Sequence, residues 1–479
     1  MQKAFDLDIL HPDYERNRTL RDLSRMLFEG RNEEVKSLLI KGIYEDQKYY
    51  RERQRALVYE NLLRPIIAAR IGLLTRSKAE IQVPESIEPY LSDINGEGIS
   101  IDTWIKDIVT DADVDGIVWA VVDMPDTTML VDDDGKPLIR TRQDEINANI
   151  RPFVKTIPAN NVLRWKVSQK DNRLEWAVIR SCVTKEDEVG FTPEVEDRWI
   201  VWTRETIYLY EKPKSISTAS KKFVLISEVK NPIGEVPLVP FYGIRDKARF
   251  TGLPFGYLIL DHLVKILNIE SQKHHGLELI AMPRMYIIGE KPPTEVPTVD
   301  NAFFLPIGRD GAKPDLGYIE PSGKGIELSA KEIETLTARV YRNTLYLSRK
   351  PTAQVQSAES QKQESTILKA DLSSVAYNHE SSLTEVLRLV HKWDSAGMEA
   401  DPSDFTVRFT RDFDVKRLEP AEIKELREST LGDLLSMQTF WKLLVTGEVL
   451  PETFSAEDEL ARLAEERDVV EKNTLLGSI

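Results

Sequence analysis

Asp111-Ala112-Asp113-Val114-Asp115-Gly116 places carboxylates at positions one, three and five and glycine at six, the first half of a calcium loop. The twelfth position should supply a bidentate glutamate, and Val122 stands there. Without that ligand the spacing reads as a helix end turning into a buried strand. The same carboxylates carry the enzymatic alternative, a metal-dependent nuclease using Asp111, Asp113 and Asp115, which predicts metal-dependent DNA cleavage lost in Asp113→Ala. Gly317-Tyr318-Ile319-Glu320-Pro321-Ser322-Gly323-Lys324-Gly325 imitates a phosphate loop, but its glycines are one residue too far apart. Gly325 also replaces the hydroxyl that would hold magnesium. His274 and His275 are adjacent, so on a helix they point about 100° apart and cannot form an i, i+4 metal pair. His379 and His391 fall in a long helical pattern, where packing or surface roles are expected. Cys182 reads as a small core residue in a strand, and no Gly-x-Ser-x-Gly elbow occurs. No catalytic group, cofactor or metal is expected.

The elements that would position such groups follow from periodicity. Residues 1–76 read as helices, with Pro65 expected to break the stretch from Glu45 to Leu74. Lys48, Arg51, Arg53 and Arg55 could face phosphates, but the plainer reading is a solvated face paired with Glu45, Glu52 and Glu60. A short helix is expected over Ile101 to Val109, with Asp102 as its cap. From Gly116 to Tyr242 the period is two. Strands are expected at 116–122, 129–131 before the Asp134-Gly135 turn, 161–167, 174–183, 198–203, 206–210, 223–229 and 236–242. Pro232, Pro237 and Pro240 make the last an edge or irregular strand. Helix returns at Leu253 to Ile280. Short strands within 284–321 form a small β module between it and a second helix, Ser329 to Tyr346, expected alongside the first.

The stretch from Ser348 to Trp393 organises the rest. A polar loop, 348–360, leads into an uninterrupted helical pattern whose stripe runs through Leu368, Leu372, Val375, His379, Leu383, Val386, Val390 and Trp393. Such a rod is about 50 Å long. A strand, Phe405 to Phe409, and an acidic helical tail opening at Glu419-Pro420 follow. The fold class expected is α+β.

Composition narrows the function. An apolar share of 41% over 479 residues supports a folded chain of several sub-domains. A formal charge of -15 argues against tight wrapping of nucleic acid, which needs a basic surface. One cysteine excludes an intrachain disulfide. No run approaches the roughly 18 apolar residues of a membrane span, and Met1-Gln2-Lys3-Ala4-Phe5-Asp6 lacks a signal-peptide core. A soluble protein made in the cytoplasm is expected, with no membrane partner.

The order β-rich body, helix, small β module, helix, polar loop, long helix, helical tail resembles that of portal proteins of tailed bacteriophages. Tyr49-Tyr50-Arg51-Glu52-Arg53 with Tyr59-Glu60-Asn61 resembles the N-terminal signature of one portal subfamily. Asn231-Pro232-Ile233-Gly234-Glu235-Val236-Pro237-Leu238-Val239-Pro240-Phe241 resembles its proline-bracketed strand. Gly317-Tyr318-Ile319-Glu320, Gly323-Lys324-Gly325-Ile326, Ser365-Thr366-Ile367-Leu368 and the tail phrases Gly447 to Glu452 and Glu457 to Leu463 are similar to its second-half phrases. The helix from Leu253 departs from the subfamily's more regular version.

The resemblance implies a homo-oligomeric ring, commonly of twelve subunits, at one vertex of a virion capsid. Double-stranded DNA would pass through it during packaging and ejection. The terminase large subunit and then the head-tail adaptor would dock on it, and the major capsid or scaffolding protein would surround it. It further implies helices and a β-rich wing over 1–252, stem helices at 253–282 and 325–347, and a clip at 283–324. A channel loop at 348–360, a long wing helix and strand at 361–418 and a crown at 419–479 would complete it. Arg349, Lys350, Gln354, Gln356, Gln361 and Lys362 would meet DNA; Glu290, Lys291, Glu295, Asp300, Arg309 and Asp310 would face the motor and adaptor. Another virion ring, such as an adaptor, is the structural alternative; adaptors are shorter and lack a long internal rod.

Overall fold

Helix starts and stops in the N-terminal region follow local chemistry. The computed structural model describes residues 7, 9–125, 144, 148, 150–186, 193–212, 223–281, 284–289, 303–306, 315–319, 323–344, 358–395, 397–411, 420–432, 434–446, 449–450 and 454–462. Helix α1 (Arg18–Glu29) stops at Gly30, whose φ of 65° suits a residue without Cβ. Helix α2 (Asn32–Val35) is one turn. The stretch expected to be broken by Pro65 is two helices, α3 (Gln47–Arg55) and α4 (Leu63–Leu74). Pro65 lies in the first turn of α4, where its missing N–H has no intrahelical partner to lose. Arg53 is not solvated as expected: it is buried, with Nε 2.8 Å from Glu45 and Nη2 donating to the Ile40 carbonyl. Lys48, Arg51 and Arg55 are exposed and make no ion pair among the described residues, so the expected pairing with Glu52 and Glu60 is not seen. Strand β1 (Glu80–Gln82) precedes α5 (Ile101–Asp115). Ser100, not Asp102, caps α5 by accepting from Thr103 N–H, while Asp102 pairs with Lys78 at 3.4 Å. The helix outruns its expected end because Ile108, Val109, Ala112 and Asp113 continue its buried face.

The β-rich region forms two antiparallel sheets. Strand β2 (Ile117–Asp123), apolar and buried up to Val122, is central in the first, between β3 (Phe153–Pro158) and the later β9 (Leu238–Tyr242). β3 has no counterpart among the expected strands. β9 is an edge, as its prolines required, with Pro240 opposite Trp119. The second is a five-strand meander: β4 (Val162–Val167), β5 (Leu174–Glu186), β6 (Pro193–Thr203), β7 (Thr206–Glu211) and β8 (Val224–Lys230). Leu7, Tyr14, Leu163, Val178, Trp199 and Val201 pack together on it. Cys182 lies in β5 but is exposed, correcting the core assignment; its Sγ is 3.1 Å from Asp197, which raises the thiol pKa. The expected strand at 129–131 and its turn lie outside the described residues. Strands β10 (Ile244–Arg245) and β11 (Gly252–Leu253) form a small hairpin against the end of α5. A Cβ on Gly252 would fall 1.9 Å from the Gly116 carbonyl oxygen, so only glycine lets these backbones cross.

Helix α6 (Leu260–Ala281) starts later than expected because Pro254 opens a 3-10 turn, Phe255–Leu258. A three-stranded module follows, β12 (Arg284–Gly289), β13 (Phe303–Pro306) and β14 (Asp315–Ile319), in the order β13-β12-β14. Helix α7 (Lys324–Thr344) begins earlier than Ser329, directly after Gly323 at φ 65°. Helix α8 (Ala358–Asp394) is the expected rod, 37 residues or about 55 Å long. Of its stripe, Leu372, Val375, His379, Leu383, Val386, Val390 and Trp393 are buried, against β2, β3, β9 and β15 (Thr406–Arg408). β15 pairs antiparallel with β1, tying the end of the rod's return to the N-terminal region. No helix among the described residues is long and apolar enough to cross a membrane. The chain divides into two compact units, 1–411 and 412–479. In the second, α9 (Pro420–Leu431) starts on its proline and packs with α10 (Met437–Thr446). The architecture is α+β.

His379 packs as an aromatic wedge between α8 and β9, its ring stacked on Phe241 with centroids 5.9 Å apart. Neither ring nitrogen has a hydrogen-bond partner, and burial, with nearby Arg70, depresses its pKa to about 3. A depressed folded pKa means that the unfolded chain alone binds this proton below about 6.5, so stability falls as pH drops through the window toward 3. The expected slope from this group is ~1.4 kcal/mol per pH unit. Denaturant unfolding of His379→Leu should show a flatter stability profile between pH 6.5 and 5 than the parent; an unchanged slope would place a partner on the imidazole.

Candidate functional site

Asp111, Asp113 and Asp115 do not converge. All three lie within α5, where positions two apart face nearly opposite sides. Asp111 and Asp115 share one face and both accept from Arg25, at 2.9 and 2.7 Å. Asp113 points the other way, fully buried, onto Arg70. Arg70 also reaches Asp371 of α8 at 3.3 Å and lies 4.1 Å from the Phe255 ring centroid. The aspartates expected of a nuclease are thus structural anchors that tie α1 and α4 to α5. No group of three or more His, Cys, Asp or Glu among the described residues is disposed to hold a metal ion. Gly317, in β14, lies against Tyr286, where a Cβ would come within 2.7 Å of the ring, and Gly325 is in the first turn of α7. The glycine spacing that imitated a phosphate loop therefore belongs to a strand and a helix start.

Helices α6 and α7 pack side by side, and the register of their contacts makes them antiparallel. Lys265 Nζ is 3.1 Å from Glu332, while Gly276 lies beside Ile326. The sheet β13-β12-β14 sits in the connection between them. Its centre is β12, parallel to β13 and antiparallel to β14, and Tyr286 Oη donates to Asp315 across it at 2.9 Å. Arg349, Lys350, Gln354 and Gln356, and also Glu290, Lys291, Glu295, Asp300, Arg309 and Asp310, lie outside the described residues. Gln361 and Lys362 fall in the first turns of α8. Sequence reasoning passed over Arg339 and Arg342. Both are exposed on α7: Arg342 lies on the side away from the buried line Leu336, Val340 and Thr344, and Arg339 on its flank. The signal was available: an i, i+4, i+8 buried line leaves the rest of the circumference, this basic i, i+3 pair included, to solvent.

The second half of α8 is clamped by polar ties to the body. Glu235, in the turn before β9, accepts from Lys392 Nζ at 2.8 Å, Arg388 Nη2 at 2.9 Å and Arg173 at 3.0 Å. Burial would raise its carboxyl, but Lys392 and Arg388 hold it below the usual range. Asn231 shapes that turn, donating to the carbonyls of Thr203 and Glu235. Glu380 of α8 accepts from the Phe409 N–H and from Arg411 at 2.7 Å. Trp393 Nε1 closes the end on the Val122 carbonyl at 3.0 Å. Toward the N-terminal side Thr366, Ile367, Ala370, Ser374 and Tyr377 are exposed.

No protein-family model and no curated protein matches the chain. Among solved structures it is similar to "Neck of native GTA particle computed with C12 symmetry", at TM-score 0.38 and 10% identity, over 91% of this chain and 94% of that one. It is also similar to "Virion of native gene transfer agent (GTA) particle", at 0.35 and 10% over 92% and 98%. A third is "Neck of empty GTA particle computed with C6 symmetry", at 0.37 and 10% over 88% and 95%.

The clamp generates a prediction. Glu235→Ala leaves the buried Lys392 ammonium short of its main partner and is expected to cost about 3–5 kcal/mol in urea unfolding. Adding Lys392→Met should recover part of that loss. A cost below about 1 kcal/mol would show that water replaces the carboxylate without penalty.

Proposed function

We propose that this protein is a portal, a ring of identical copies at one vertex of a phage-like capsid through which double-stranded DNA passes. Its work is structural rather than enzymatic, with ATP hydrolysis left to a separate motor. The observation that carries the reading is the continuous run of α6, a three-stranded module, α7 and then the 37-residue α8. A helix pair with a small sheet at one end and a rod leading away from the other provides a stem, a docking tip and a spine within one chain. That is the order on which the portal resemblance rests.

In this assignment the module and Glu290, Lys291, Glu295, Asp300, Arg309 and Asp310 meet the terminase large subunit and then the head-tail adaptor. Arg349, Lys350, Gln354, Gln356, Gln361 and Lys362 meet DNA, and the exposed Arg339 and Arg342 of α7 join them. Sparse cations on a chain of net charge -15 suit a conduit, because dense phosphate contacts would hold DNA that must slide. The divergent faces of Asp111 and Asp113 weigh against the nuclease alternative.

Purified protein viewed down an axis in negative stain should give rings with a central hole. Rings should retain linear duplex weakly and without sequence preference. Arg339→Glu with Arg342→Glu should weaken retention and lower the log–log salt slope by about 1 for each phosphate no longer neutralised. Monomers under every assembly condition would refute the ring, and unchanged retention would remove the two arginines from the bore.

A further inference from the structure

Three cations share one edge of α3. Lys48, Arg51 and Arg55 stand three and four residues apart, all exposed, and none forms an ion pair among the described residues. Like charges at these spacings repel and weaken a helix, although a chain with 79 acidic side chains has the means to neutralise them. Glu45 is taken by the buried Arg53 at 2.8 Å. The negative pole of a helix end accounts for a cation at Arg55, the last residue of α3, because that field falls off within one turn. It does not account for Arg51 or Lys48.

Two of these cations line a shallow hollow of about 420 Å³. Helix α3 contributes Arg51, Gln54 and Arg55; α2 contributes Glu33, and the 3-10 turn Lys36–Leu38 that follows it contributes Lys36 and Ser37. Donors dominate the lining: two guanidinium forks, the Lys36 ammonium and the Gln54 amide N–H. The Ser37 hydroxyl already donates to the Glu34 carbonyl at 2.6 Å. Glu33, the one carboxylate of the lining, lies 2.6 Å from Lys36 Nζ and has 87% of its side chain exposed. Three cations against one carboxylate leave the hollow positive on a chain of net charge -15. A guanidinium fork matches a pair of oxygens on one anion, and two forks with an ammonium from a second element match an anion with three or more oxygens. A carboxylate, with two oxygens in one plane, would occupy a single fork.

We propose that this hollow is a phosphate site, in which a phosphoryl group seats between the forks of Arg51 and Arg55. Lys36 and the Gln54 amide complete its donors, and Lys48 extends the positive edge. The proposal does not depend on the ring reading. The phosphoryl group belongs either to a free phosphate or to a DNA backbone: from Lys48 to Arg55 the edge runs about 10 Å, room for two neighbouring phosphates of one strand.

The test titrates the full-length parent and Arg51→Gln with Arg55→Gln with inorganic phosphate by calorimetry and, separately, with a short labelled DNA duplex by fluorescence anisotropy. Both positions are exposed, and circular dichroism with thermal melting establishes that the variant folds. At an ionic strength held constant with chloride, the double variant should bind the responding ligand about tenfold more weakly than the parent. Glu33→Gln removes the one carboxylate of the lining and should tighten binding, whereas Arg339→Glu with Arg342→Glu should leave phosphate binding untouched. Loss of phosphate binding with duplex binding unchanged assigns the site to a free phosphate. Weaker duplex binding, with a log–log salt slope lower by about 2 for the two cations removed, assigns it to a DNA backbone. A folded double variant that binds both ligands as the parent does, or a parent that binds neither, would overturn the proposal and leave the ring reading intact.

Discussion

A helix of 37 residues keeps its place only if something along its side is worth more than the solvent it displaces, and among the described side chains α8 meets that condition most fully from Leu372 onward. From Leu372 to Trp393 its apolar line is buried against the first sheet and β15. Glu235, Glu380 and the Val122 carbonyl add polar ties that resist sliding or rotation of the helix about its axis. An apolar line alone would tolerate small slips, because dispersion and burial are not directional. The charge-assisted bonds to Lys392, Arg388 and Arg411 are directional, so they fix register. The helix continues from that anchored part toward Ala358. In the proposed portal that end would present the segment that precedes α8 to the DNA.

The body to which the rod is anchored is held by its own buried ion pair. Asp113 and Arg70 meet between α4 and α5, and Arg70 extends to Asp371. The pair therefore links the N-terminal helices to the rod. Three carboxylates spaced for a metal loop are put to different uses, because a helix separates residues that a loop would gather. The cluster that looked most like a reactive site is instead part of the frame.

Much of the architecture could be read from periodicity. The rod was legible because no Gly or Pro interrupts it and its apolar positions alternate by three and four. The edge strand β9 was legible from Pro237 and Pro240, and the module from its short apolar runs between Pro and Gly turns. β1 and β3 were missed: Glu80–Gln82 is too short to show a period, and Phe153–Pro158 mixes Lys155 and Thr156 into a strand half open to solvent. Cys182 was misplaced because β5 runs on beyond its buried first half, and a strand's period does not say where the cover over it ends. Arg53 was misplaced because its partners, Ile40, Glu45 and Ser271, come from three segments that only folding brings together. Of the candidate site, the side chains expected to line the bore were assigned by resemblance, whereas Arg339 and Arg342 emerged once the buried face of α7 was known.

In the proposed ring the copies surround an axis with the Ala358 end of α8 inward and its clamped end outward. Spin labels can be placed at Ile367→Cys and, separately, at Met398→Cys, both exposed, in a Cys182→Ser background. Distances between copies, measured by pulsed electron paramagnetic resonance on assembled rings, test the orientation directly. The account predicts a shorter nearest-neighbour distance at 367 than at 398. Equal distances, or a shorter one at 398, would contradict it.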